Sequence, residues 1–289
     1  MSHTVPATPA TAASRPYDGV EAPLTFVRRS DAKPVLQSAA LTGGAPRELF
    51  ETERRAVPIH DVRPGADGLS LDREGFVLLR QGTAVTDFYD DDQVERVYYP
   101  EVEAFLRRAT GASRVVIFDA TRRSDGGAGA SNRDGLRGPA SRVHVDYTER
   151  SGPQRVKDLL GEVEAERLAG AGARIVQLNV WRPVRGPVER SPLALADATS
   201  VRFEDLIATD QVFPDRVGEI YHLAYEPSQR WWYAPRMTPD EVLLIKGWDS
   251  LEDGRTRFTP HGAFELPDTP ENAAPRESIE VRTLVVIEG

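Results

Sequence analysis

The stretch Val143-His144-Val145-Asp146-Tyr147 (VHVDY) decides the reading of this chain. Its apolar–polar alternation marks a β-strand, on which residues i and i+2 face the same way. His144 and Asp146 therefore converge on one side while Val145 packs into the other. An imidazole and a carboxylate so placed can share a metal ion. A second histidine from a distant strand completes a facial triad and leaves three positions open, two for 2-oxoglutarate and one for O2, an arrangement typical of non-haem Fe(II) oxygenases. His-x-Asp alone arises by chance in many chains. Here it is followed, in order, by His261 in RTRFTPHGAF (255–264) and by Arg276-Glu277-Ser278. On a late strand Arg276 and Ser278 share a face and can grip a carboxylate, the arginine bidentately and the serine through its hydroxyl. The ordered series is much more specific than any of its parts.

The competing distal ligand is His222, in GEIYHLAYEP (218–227). Its neighbours alternate like a core strand, so a hydrogen-bonded packing histidine explains it equally, and His261 is preferred. His60 reads as a loop histidine. In LNVWRP, Asn179 and Trp181 share one strand face. Asn179 can bond the cosubstrate or an iron ligand and Trp181 can wall the pocket, or both are structural. Arg182 and Arg282 are alternative carboxylate clamps, and Arg276 is preferred to them because of Ser278. Tyr147, beside the metal pair, and Arg122, at the mouth of a glycine-rich loop, are candidate substrate contacts. So is Trp232, in the aromatic run 231–233. Packing or surface roles compete for all three.

Working outward, the chain has 289 residues, 40% of them hydrophobic, enough for a single large β domain. Its net charge of −9, with no basic cluster to offset it, disfavours nucleic acid as a partner. There is no cysteine, which excludes disulfides, thiolate metal sites and thiol nucleophiles. The apolar runs are too short to cross a bilayer, and residues 1–20, rich in Ala, Pro, Thr and Ser, read as a disordered leader without a signal peptide. A cytoplasmic protein with a small-molecule substrate is the expectation, and a homo-oligomer is left open. Residues 87–110 read as largely helical with Gly111 as the stop, 114–120 as a strand, 122–142 as a mobile loop with five glycines, and 153–169 as an amphipathic helix. Short alternating segments fill the remainder, as in a β sandwich or barrel.

HVDYT, NVWRP, PLALADATSV, EIYHLAYEPSQRWWYAPRMTPDEVLLIKGWDS, FTPHGAF and PRESIEVRTLVV together resemble the CmcJ-like family over residues 20–289. That family includes the cephamycin cephem-hydroxylase component, fungal AsaB-type hydroxylases and gibberellin desaturases. The resemblance implies a mainly β fold, a double-stranded β-helix (jelly roll) with flanking helices. Read with the segment pattern above, the chain is expected to be one oxygenase domain over 21–289, with an N-terminal extension (21–110) and the glycine-rich loop 122–142 as a lid. The resemblance further implies Fe(II) held by His144, Asp146 and His261, 2-oxoglutarate and O2 as cosubstrates, a C-terminal clamp arginine, and hydroxylation or desaturation of a secondary metabolite, such as an antibiotic, with release of succinate and CO2. The alternatives are a cupin-type metal enzyme that does not use 2-oxoglutarate, disfavoured by the lack of a His-x-His pair, and a non-enzymatic ligand-binding jelly roll.

Overall fold

The computed structural model describes residues 19–133 and 135–288. The expected leader lies outside the described residues up to position 18, and Gly19 and Val20 already open the first strand, Gly19–Val27. Two β-sheets pack face to face. In the smaller, Phe76–Arg80, Glu241–Asp249, Arg174–Pro183, Glu277–Ile287 and Arg114–Ser124 lie side by side in that order, every pair antiparallel. The larger has ten strands. Its centre runs Trp231–Tyr233, Leu193–Ala196, His261–Ala263, His144–Val145, Val217–Leu223. This is the double-stranded β-helix expected, with its helices outside the sheets.

The alternation visible in the sequence sorts residues between the two faces of the smaller sheet. Leu178, Val180, Ile279 and Val281 turn outward and are covered by Tyr98, Val102, Phe105 and Leu106. Each such side chain taken from water contributes roughly 1.5–3 kcal/mol. Trp181, Leu243, Ile245 and Phe76 turn inward, where they meet Leu193 and Leu195 of the larger sheet. The polar inward positions on these strands are therefore held inside the sandwich.

Three expectations change in detail. The helical stretch near 87–110 is Asp91–Gln93, a π turn Val94–Tyr98 and helix Tyr99–Thr110, with Pro100 in the first turn and Gly111 capping it at φ 73°. The expected helix 153–169 is two, Ser151–Leu160 and Glu162–Gly170, because Gly161 (φ 83°, ψ 155°) breaks the ladder between them. The strand 114–120 continues to Ser124, and the loop beyond it carries a small hairpin, Ala130–Asn132 with Gly135–Arg137.

Candidate active site

His144 and His261 are cross-strand partners, so their rings stand side by side with centroids 4.7 Å apart. Nδ1 of His144 donates to the carbonyl of Arg142 at 2.8 Å, and Nδ1 of His261 to that of Thr259 at 3.0 Å. A carbonyl can only accept, so each Nδ1 carries a proton and Nε2 is the nitrogen left to meet a metal. Burial, reinforced by His261, pushes the His144 pKa down to about 3, so this imidazole is neutral. Burial alone would raise the Asp146 carboxyl, but chiefly the Arg282 guanidinium, with the Asn179 hydrogen bond, holds it well below the usual range, and it is ionised. Two imidazoles with their Nδ1 tied to carbonyls, and an ionised carboxylate, form a donor set suited to Fe(II). His144 Nε2 lies 3.7 Å from Asp146 Oδ1, whereas two donors at right angles about 2.1 Å from one ion stand roughly 3 Å apart. Consistent with that gap, among the described residues no three such donors are drawn tightly enough to enclose an ion.

Asp146 is fixed from behind. Its Oδ2 accepts from Asn179 Nδ2 at 2.6 Å and from Arg282 Nε at 3.2 Å. Gln177 Nε2 in turn donates to Asn179 Oδ1 at 2.6 Å. A Cβ on Gly247 would overlap Gln177 Oε1, so only glycine leaves room for this relay. Oδ1 alone is left to face the histidines.

Beside the donors lies a narrow cavity, lined by His144, His261, Trp181, Arg276, Arg123 and Glu280 among others. Arg276 is 2% exposed. Its NH1 donates to the Ser191 carbonyl at 3.0 Å, and its guanidinium lies 5.8 Å from the centre of the Trp181 ring. Its Nε and NH2, like the Ser278 hydroxyl, are buried without a partner. Unmet buried donors cost about 1–3 kcal/mol each, and a carboxylate would satisfy all three. Burial, then Arg123, lowers the Arg276 pKa to about 10, which still leaves it charged at neutral pH. A larger open groove between Arg28, Arg29, Arg55 and Tyr225 lies away from the histidines, and its arginines already pair with Glu51, Asp205 and Glu53.

Several expected site residues fall elsewhere. Arg282 is at the site but grips Asp146, Asp119 (2.5 Å) and Glu280 (2.7 Å), so it is not a free clamp. Arg182 is on the outward face, bonded to the carbonyls of Gln81 and Pro239 and packed on the rings of Phe88 and Tyr98. Arg122 likewise turns outward, to the Phe88 carbonyl and to Asp91 at 2.6 Å. Tyr147 packs with Val156, Trp248 and Leu284 beneath the first helix of the split pair. Trp232 packs against the Trp181 cluster, 5.4 Å from the His60 ring, and is not among the cavity's lining. His222 sits beside His144 across the strands, but its Nδ1 meets Thr209 Oγ1 at 3.0 Å and it is not part of the lining. Arg123, Glu280, Gln177 and Gly247 were not singled out from the sequence.

Residues 24–286 match the oxidoreductase/YMDC permease-like domain family. Hydroxylase/desaturase efuI of Hormonema carpetanum is 33% identical over 265 residues, 84% of this chain and 87% of its own. The alpha-ketoglutarate-dependent dioxygenase phiK of Fungal sp. (strain ATCC 74256) is 35% identical over 240 residues, 80% of this chain and 84% of its own. Among solved structures, the iron and alpha-ketoglutarate-dependent endoperoxidase NvfI superposes with a TM-score of 0.82 at 29% identity, over 94% of this chain and 99% of that one. Among the described residues, no helix is long and apolar enough to cross a membrane.

Proposed function

The chain belongs to the oxidoreductase/YMDC permease-like family, alongside fungal hydroxylases/desaturases and alpha-ketoglutarate-dependent dioxygenases, and from that membership we propose how its own residues divide the work. It is an Fe(II)/2-oxoglutarate-dependent oxygenase that hydroxylates or desaturates a small molecule of secondary metabolism. Bound Fe(II), with O2 and 2-oxoglutarate, supplies an oxidant able to take hydrogen from a C–H bond, and the cosubstrate leaves as succinate and CO2.

His144, Asp146 and His261 are the iron ligands. Asn179 and Arg282 hold the second oxygen of Asp146 and so present the first as a single donor. Arg276 and Ser278 take the distal carboxylate of 2-oxoglutarate, and Trp181 walls its path. Residues 125–142 form the lid that keeps water from the reacting atoms, since Ala140 lines the cavity and the Gly138 carbonyl is bonded to Arg123. The observation that carries the cosubstrate reading is the set of three buried, unmet donors on Arg276 and Ser278 beside the two His Nε2 atoms.

The test is iron retention. After anaerobic loading and desalting, His144→Ala, Asp146→Ala and His261→Ala should each lose most of their iron, because two donors hold an ion poorly, while His222→Ala should keep it. Iron retained by His261→Ala and lost from His222→Ala would assign the third ligand to His222.

A further inference from the structure

The cavity holds more positive charge than this reading uses. Arg123 is the direct cross-strand partner of Ser278 and lines the same cavity as Arg276. Its NH1 donates to the Gly138 carbonyl at 3.0 Å, which leaves the other donors of the guanidinium fork. Among the described residues no carboxylate bonds to Arg123 or to the free Nε and NH2 of Arg276. Glu280, the nearest candidate along the strand, is drawn to Arg282 at 2.7 Å. Asp125 is taken by the Arg276 backbone N–H, Arg190 and the Ser191 hydroxyl. Neighbouring guanidinium groups out of bulk water repel each other; the Glu280 charge in the same lining offsets part of that cost, and an anion bonded directly to both would offset more.

The position of Arg123 says which end of a ligand it meets. Arg282, which holds Asp146, marks the metal end of the strand Glu277–Ile287. Glu280 lies two residues back towards the clamp, and Ser278, with Arg123 opposite, two further still. Ser278, Arg123 and Arg276 thus gather at the end of the cavity away from the metal donors.

We propose that Arg123 is a second carboxylate-binding group, which completes with Arg276 and Ser278 a two-arginine clamp for the distal carboxylate of a dianionic 2-oxo acid. Arg123 thereby sets the preference of the cavity for 2-oxoglutarate over 2-oxo acids without that carboxylate. The inference rests on the reading of the cavity as the 2-oxoglutarate site.

It is tested by calorimetric titration of the Mn(II)-loaded protein with 2-oxoglutarate and with 2-oxobutyrate, comparing wild type, Arg123→Gln, Arg123→Lys and Arg276→Gln. Arg123→Gln should weaken 2-oxoglutarate by about tenfold or more, as loss of one partner in a desolvated charge pair does. Arg123→Lys should recover part of that loss. 2-Oxobutyrate, which has no distal carboxylate, should bind Arg123→Gln and wild type alike. Equal weakening of both acids would mean that Arg123 only supports the fold and would overturn the proposal. So would unchanged 2-oxoglutarate binding in Arg123→Gln. In that last case Arg276→Gln separates the two readings: if it is still weakened, only the role of Arg123 falls, and if it too binds normally, the cosubstrate reading falls with it.

Discussion

Asp146 has two oxygens and the chain uses them differently. Oδ2 is tied by Asn179 at 2.6 Å and Arg282 at 3.2 Å, while Oδ1 faces His144. Removing a group that orients a metal ligand typically costs 10–100-fold in metal affinity. Asn179→Ala should therefore raise the Co(II) dissociation constant by roughly that factor, and Gln177→Ala by less, since it acts through Asn179. An unaltered constant in Asn179→Ala would mean that Asp146 holds its orientation without the relay. Asn179 and Trp181 could be paired on one face from the sequence because LNVWRP alternates cleanly, and the same alternation turns Arg182 to the other side. Arg123 escaped notice for a physical reason. The apolar run ends at Ala120, and Thr121–Ser124 is wholly polar, so nothing in the sequence revealed that the strand continues or which of Arg122 and Arg123 faces inward.

At the scale of elements, the segment after Ser124 joins the edge strand of the smaller sheet to the strand that carries His144. Its far end is anchored: the Ala263 N–H donates to the Ala140 carbonyl at 2.7 Å, and Arg123 holds Gly138. Its middle carries a short hairpin, Ala130–Asn132 with Gly135–Arg137, whose Asn132 side chain bonds both backbone groups of Arg122. Replacing 127–137 with a short turn, which keeps Asp125 under Arg276, should leave 2-oxoglutarate consumption intact but lower the oxidised product formed per succinate, because water then reaches the reacting atoms. An unchanged product-to-succinate ratio would make the segment a mere connector. The five glycines marked this loop in the sequence, but its internal pairing is too short to leave a periodic pattern. The break at Gly161 was similarly hidden, because the apolar spacing runs on through both helices.

Across the whole molecule, the interior keeps two histidines uncharged. Burial lowers both His144 and His222 to about 3, with His261 adding to it for His144, and His144 and Arg142 for His222. Unfolded imidazoles titrate near 6.5, so the unfolded chain takes up protons that the native one refuses. Stability of the metal-free protein is then full above about pH 6.5 and falls as pH drops towards 3, by about 1.4 kcal/mol per pH unit for each histidine. Urea unfolding of metal-free protein between pH 7 and pH 4.5 should show this slope, reduced by about one proton in His222→Gln, and a flat profile would contradict it. A β sandwich or barrel was legible because alternation and turn residues recur along the chain, and the family resemblance narrowed it to a jelly roll. The neighbourhood of His222 and His144 was not, because it depends on strand register, which pairs residues far apart in sequence. That separation has a further consequence, in time. During synthesis His144 and Asp146 leave the ribosome well before His261, and Arg276 follows later still. At roughly 5–20 residues per second the wait from Asp146 to Arg276 is on the order of ten seconds. A nascent chain therefore carries two of the three donors, with neither the third nor the clamp, for most of that interval.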